Sequence, residues 1–237
     1  MNASVMTGRA LVVAAHPDDE VLGCGATIHK ILGQGGHVRV LILGEGSTCR
    51  YPADLITSAE ARAAIAQRRG FADQALASLG VVDAVFGDLP CGRFDQVPLI
   101  DIGKTIEEQI RQFRPDTVLT HFGQDANSDH RLAFNAVITA TRPVPGSPVR
   151  NVMCFETLSS TEWRFVETFH PNFFIDVDAH IEAKVKAFSF YFPTEGKKFP
   201  FPRCEEGLRL QARVRGMQVG IPHAEAFQIV RSVLTAG

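Results

Sequence analysis

The chain has 237 residues, enough for one sizeable core, and its 45% hydrophobic and 21% charged residues are ordinary for a globular protein. A formal net charge of -2 supplies no basic field for a nucleic-acid backbone, and no apolar window has the length of a membrane span or the form of a secretory leader. Five cysteines, odd in number and never spaced CxxC, argue against a disulfide framework or a thiolate zinc cage and suit a reducing, cytoplasmic setting.

Residues 10–15 (ALVVAA) form a continuous apolar run, as expected of a strand buried on both faces. Residues 26–32 read as a helix closed by Gly33, Gly35 and Gly36, and 38–43 as a second strand followed by the loop GEGSTCRYP. Ser58 caps a long helix to about Leu79, with Gly80 beyond it. A third strand over 81–86, a helix over 99–113 and a fourth strand over 117–120 follow. This alternation predicts an α/β, Rossmann-like three-layer fold around a mostly parallel sheet. Beyond Arg142 the pattern loosens. Strands over 149–157 and 173–177, a helix over 179–190, a Pro- and Phe-rich loop and a helix over 205–219 read as an irregular C-terminal extension of one domain spanning 1–237.

Ligands of open parallel sheets bind beyond the carboxyl ends of the strands. After the first strand stands His16-Pro17-Asp18-Asp19-Glu20, and after the fourth a loop from His121 to Arg131 that carries Asp125, Asn127, Asp129 and His130. Crowding an imidazole with three carboxylates is costly unless a cation sits among them. Two imidazoles and a carboxylate from neighbouring loops make a three-ligand zinc site with one position open for water, and a nearby carboxylate can serve as general base. His29, His37, His170 and His180 read as surface or packing residues. Gly23 and Gly25 form a GxG without the third glycine, because position 28 is Ile, and the dinucleotide-binding reading fails there.

At these residues the chain resembles the PIG-L (LmbE-like) family of metal-dependent N-acetylglucosaminyl deacetylases. Its AHPDDE motif stands unaltered at residues 15–20, and its xDH motif appears as Ser128-Asp129-His130. The resemblance implies zinc held by His16, Asp19 and His130, with Asp18 as general base and a small N-acetylated sugar as substrate. Many members carry a His three residues before the zinc His; here that position is Asn127. Its amide can donate to an oxyanion but supplies no proton. Arg68 matches an arginine that some members place near substrate. Arg50, Arg93 and Asp95 fall in strand-end loops, where each reads either as a substrate contact or as a solvated charge. His223 and Glu225, in the PHAEAF segment, are candidates for folding back over the site.

The expected activity is therefore zinc-dependent hydrolysis of an N-acetyl group from an amino sugar. A metal hydrolase of a non-sugar amide or phosphoester, and a silent metal- or sugar-binding protein, are the alternatives. Homo-oligomers are compatible with either.

Overall fold

In a computed structural model that describes residues 7–234, the apolar runs become the strands of a seven-stranded sheet. The elements are β1 (Arg9–Ala14), α1 (Asp19–Gly33), β2 (His37–Gly44), α2 (Ala59–Ser78), β3 (Asp83–Leu89), α3 (Leu99–Phe113), β4 (Thr117–His121) and α4 (Ser128–Ala140). The chain continues through β5 (Asn151–Phe155), β6 (Phe173–Asp176), α5 (Ile181–Glu195), α6 (Glu205–Met217) and β7 (Ala224–Ser232). The strand order is β3-β2-β1-β4-β5-β7-β6, parallel from β3 to β5, with β7 antiparallel to both of its neighbours. This is the expected fold class.

The pleat of β1 divides the core. Ala10, Val12 and Ala14 face a cluster that includes Ile28 of α1, Leu76 of α2, Phe188 of α5 and Leu208 of α6. Leu11 and Val13 face the opposite cluster, with Ile106 of α3 and Val137 of α4. A strand covered on both faces has to be apolar throughout. Among the described residues no helix is long and apolar enough to cross a membrane.

Several boundaries differ from expectation. The third strand runs later, over Asp83–Leu89, and α5 passes through Pro193 to Glu195. The C-terminal third is more regular than its pattern implies. The segment offered as a candidate for folding back over the site instead enters β7, inserted between β5 and β6.

The largest difference concerns α1, which begins at Asp19 rather than 26 and bends at Cys24 (φ -149°, ψ 25°). The bend breaks the ladder of i→i−4 hydrogen bonds, and the freed groups find partners from the C-terminal third. Glu225 accepts from the backbone N–H groups of Ala26 (3.2 Å) and Thr27 (2.7 Å). Lys184 Nζ donates to Leu22 O (2.8 Å) and to Glu225 (2.6 Å). The glycines fit this arrangement. A Cβ at Gly23 would lie 2.2 Å from the Phe155 ring, and one at Gly25 would press on Lys184 at 3.3 Å. The GxG that failed as a nucleotide motif is a packing motif.

Candidate active site

Strand order reverses direction between β1 and β4, and this switch point is where the two histidine-bearing loops meet. His16 follows β1, Asp19 opens α1, and His130 lies in the first turn of α4. All three are buried. Asp19 Oδ2 is their common point, 3.4 Å from His16 Nδ1 and 3.3 Å from His130 Nε2.

A third imidazole, His121 at the end of β4, lies 3.5 Å from the same oxygen. Its Nε2 accepts the Ala15 N–H at 2.9 Å, so its proton sits on Nδ1, towards Thr157. Burial, with His130 stacked 3.9 Å away, drives His121 down to about 3. It is a neutral wall of the site.

The electrostatics favour a cation among the other groups. Burial works against charge on Asp19, yet the facing His130 holds its carboxyl well below the usual range. Burial likewise opposes charge on His130, but Asp19 and Asp125 bring it up to about 10. Ligand atoms of His16, Asp19 and His130 lie within 4.8 Å of one another, so this donor set fits a divalent metal.

Outer carboxylates orient both imidazoles. Asp129 Oδ2 pairs with His16 Nε2 at 2.9 Å and accepts from Gly92 N–H at 2.6 Å. Asp125 Oδ1 lies 3.2 Å from His130 Nδ1 and accepts from Asn127 N–H at 2.8 Å. The sequence offered no signal that separates these two aspartates from ordinary helix-capping residues.

Asp18 has φ 119°, a left-handed conformation costing on the order of 1–3 kcal/mol outside glycine. Its neighbours fix it there. Its N–H donates to Glu20 Oε2 (3.0 Å), while Tyr191 Oη donates to Glu20 Oε1 (2.6 Å). Burial pushes Glu20 up to about 7, with the Tyr191 hydrogen bond pulling the other way. Asp18 Oδ2 lies 2.9 Å from Arg203 and 3.2 Å from Arg68. Burial raises its pKa, opposed by these two guanidiniums.

Arg68 also donates to Pro17 O (2.8 Å) and pairs closely with Glu195. Glu195 takes Arg50 as well, at 2.6 Å. The group opens on a pocket of about 170 Å³ whose walls include Arg50, Arg68, Asn127 and Arg203. Asn127 caps α4 through Oδ1, which accepts from Asp129 N–H at 2.9 Å, and its amide nitrogen remains for the pocket.

The other sequence candidates lie elsewhere. Arg93 and Asp95 fall outside this pocket; Arg93 reaches Cys91 O at 3.4 Å, and Asp95 is exposed. His223 is not brought to the pocket either, since its Nδ1 pairs with Asp178 at 2.6 Å. Missed altogether were Arg203, Glu195 and Tyr191, which reach the site from the far end of the chain.

Residues 11–141, from β1 to the end of α4, match the PIG-L family, described as GlcNAc-PI de-N-acetylase. Diacetylchitobiose deacetylase of Thermococcus kodakarensis is 28% identical over 95% of this chain and 84% of its own length. A 1D-myo-inositol 2-acetamido-2-deoxy-alpha-D-glucopyranoside deacetylase of Streptomyces griseus is 29% identical, covering 67% of this chain and 56% of that protein. Among solved structures, 4-carboxy-2-hydroxymuconate hydratase of Pseudomonas putida KT2440 superposes with a TM-score of 0.75 at 25% identity, over 98% of this chain and 99% of that one. The matched segment carries both histidine-bearing loops, and the chain belongs to the PIG-L family.

Proposed function

We propose that this chain is a zinc-dependent hydrolase that removes an acetyl group from the nitrogen of an amino sugar. The observation that carries this reading is the convergence of His16 and His130 on Asp19 Oδ2, with a second carboxylate, Asp18, beside them at the pocket. Similarity to a diacetylchitobiose deacetylase over nearly the whole chain supports the substrate class.

His16, Asp19 and His130 would hold the ion. Bound there, it would supply Lewis-acid polarisation of a carbonyl and lower the pKa of a water towards neutrality. Asp18 takes the proton of the attacking water. Arg68 and Arg203 both engage its Oδ2, which keeps the carboxylate fixed and leaves Oδ1 as the proton acceptor. Asn127 donates from Nδ2 to the developing oxyanion, and Asp18 returns its proton to the departing amine. The products are acetate and the free amino sugar.

A second reading has an observation of its own. Arg50, Arg68 and Arg203 line the pocket against one buried carboxylate that they share, Glu195, and a hydratase of a carboxylated substrate superposes on 98% of the chain. The same general base could then deliver water to an activated carbon–carbon double bond.

Incubating metal-loaded protein with N,N'-diacetylchitobiose, with inositol-linked N-acetylglucosamine and with 4-carboxy-2-hydroxymuconate separates the two. Release of acetate, lost in Asp18→Asn, supports the deacetylase. Gain of water by the muconate, with no acetate from either sugar, overturns it.

A further inference from the structure

We propose that Cys91, Asp129 and His16 form a second divalent-metal site, backed by Cys49, that takes a thiophilic ion such as Zn(II) or Cd(II). Ligand atoms of the three buried residues lie within 4.8 Å of one another. The site uses the opposite edge of the His16 ring from the first. Nδ1 faces Asp19 at 3.4 Å, while Nε2 faces Asp129 at 2.9 Å. One imidazole thus has a donor atom for each group of residues.

The pocket side of this cluster is built rather than incidental. Asp129 is fixed by two backbone donors from the loop after β3, Gly92 N–H at 2.6 Å and Phe94 N–H at 3.3 Å. Cys91 is held by its own N–H, which donates to the buried Glu45 at 2.7 Å. Glu45 also accepts from Thr48 N–H at 3.0 Å, which ties the Cys49 loop against the Cys91 loop. Both thiols line the open pocket, so a second sulfur and an entry path are present.

The donor set differs in kind from the first. Thiolate with imidazole selects zinc, cadmium and similar ions over magnesium or calcium, which prefer oxygen. Binding forms bonds from the ion to Cys91 Sγ, His16 Nε2 and an Asp129 oxygen. It breaks the Cys91 S–H and His16 Nε2–H bonds, and both protons pass to solvent. No electron is transferred. The inference does not depend on which reaction the pocket performs.

The test begins with protein carrying one zinc per chain, titrated with cadmium chloride, desalted and measured for both metals and for ultraviolet absorption. The expected result is retention of zinc, gain of one cadmium and a thiolate-to-cadmium charge-transfer band. Cys91→Ser should lose the cadmium and the band while keeping zinc, which shows that the variant is folded. Cys49→Ser should bind cadmium more weakly. Replacement of zinc by cadmium with no gain in total metal overturns the proposal, as does a band undiminished in Cys91→Ser. X-ray absorption at the cadmium edge of the unmutated protein gives an independent reading, and a ligand shell without sulfur would also overturn it.

Discussion

The parallel half of the molecule, from β1 to α4, and the C-terminal third, from β5 to β7, contribute to one pocket by different routes. The first supplies His16, Asp18, Asp19, Asn127 and His130 from the strand-to-helix junctions after β1 and β4. Adjacent parallel strands at a switch point bring such loops together wherever the chain obeys the usual right-handed crossovers. The second supplies Arg203, Glu195 and Tyr191, which set the surroundings of Asp18. It also supplies Lys184 and Glu225, which satisfy the bend in α1. The histidine-bearing loops come from local sequence, and the surroundings of Asp18 come from distant sequence.

Breaking the parallel half should abolish the centre. His130→Ala is expected to lose most bound zinc and all measurable turnover, because three protein ligands leave little redundancy. Metal analysis of the purified variant checks this, and undiminished zinc would remove His130 from the ligand set. Asp18→Asn should keep zinc and lose roughly two to four orders of magnitude in kcat. If metal disappears together with activity, Asp18 and Asp19 have exchanged roles.

The C-terminal third should fail in a different currency. Glu225→Ala strands the buried Lys184 ammonium and two N–H groups of α1, so a loss of about 3–5 kcal/mol is expected in denaturant unfolding. A change under about 1 kcal/mol would mean that water replaces the carboxylate. Arg203→Ala sharpens the comparison further. It should lower kcat about 10–100-fold, as outer partners of a catalytic centre do, with metal content unchanged. Lysine should restore only part, since it is a point charge rather than a planar fork. A pure KM effect would instead make Arg203 a substrate contact. The smallest effect is expected at His223, where alanine should leave turnover unchanged and stability within about 0.5 kcal/mol.

Legibility in the sequence follows this division. The unbroken apolar run of β1 declared a strand covered on both faces, and HPDDE declared a turn that crowds titratable groups at its end, because each signal lies within a few consecutive residues. The start of α1 is hidden in the sequence because Gly23, Cys24 and Gly25 are poor helix formers, and their defect is repaired by Glu225 and Lys184 from the other end of the chain. PHAEAF, a candidate for folding back over the site, instead leads into β7, between β5 and β6.

By itself, then, the sequence determined the alternating architecture, the two loops that meet at the switch point, and the chemical character of His16, Asp19 and His130. Backbone propensity and strand-to-loop placement act over short spans, so they are written locally. Tertiary structure alone decided that Asp18 is clamped by Arg68 and Arg203, that His121 stands neutral against His130, and that Cys49 and Cys91, scattered in sequence, line one pocket. Each of these depends on the distance between residues far apart in the chain, and burial gives that distance its energetic weight by removing the water that would otherwise screen it.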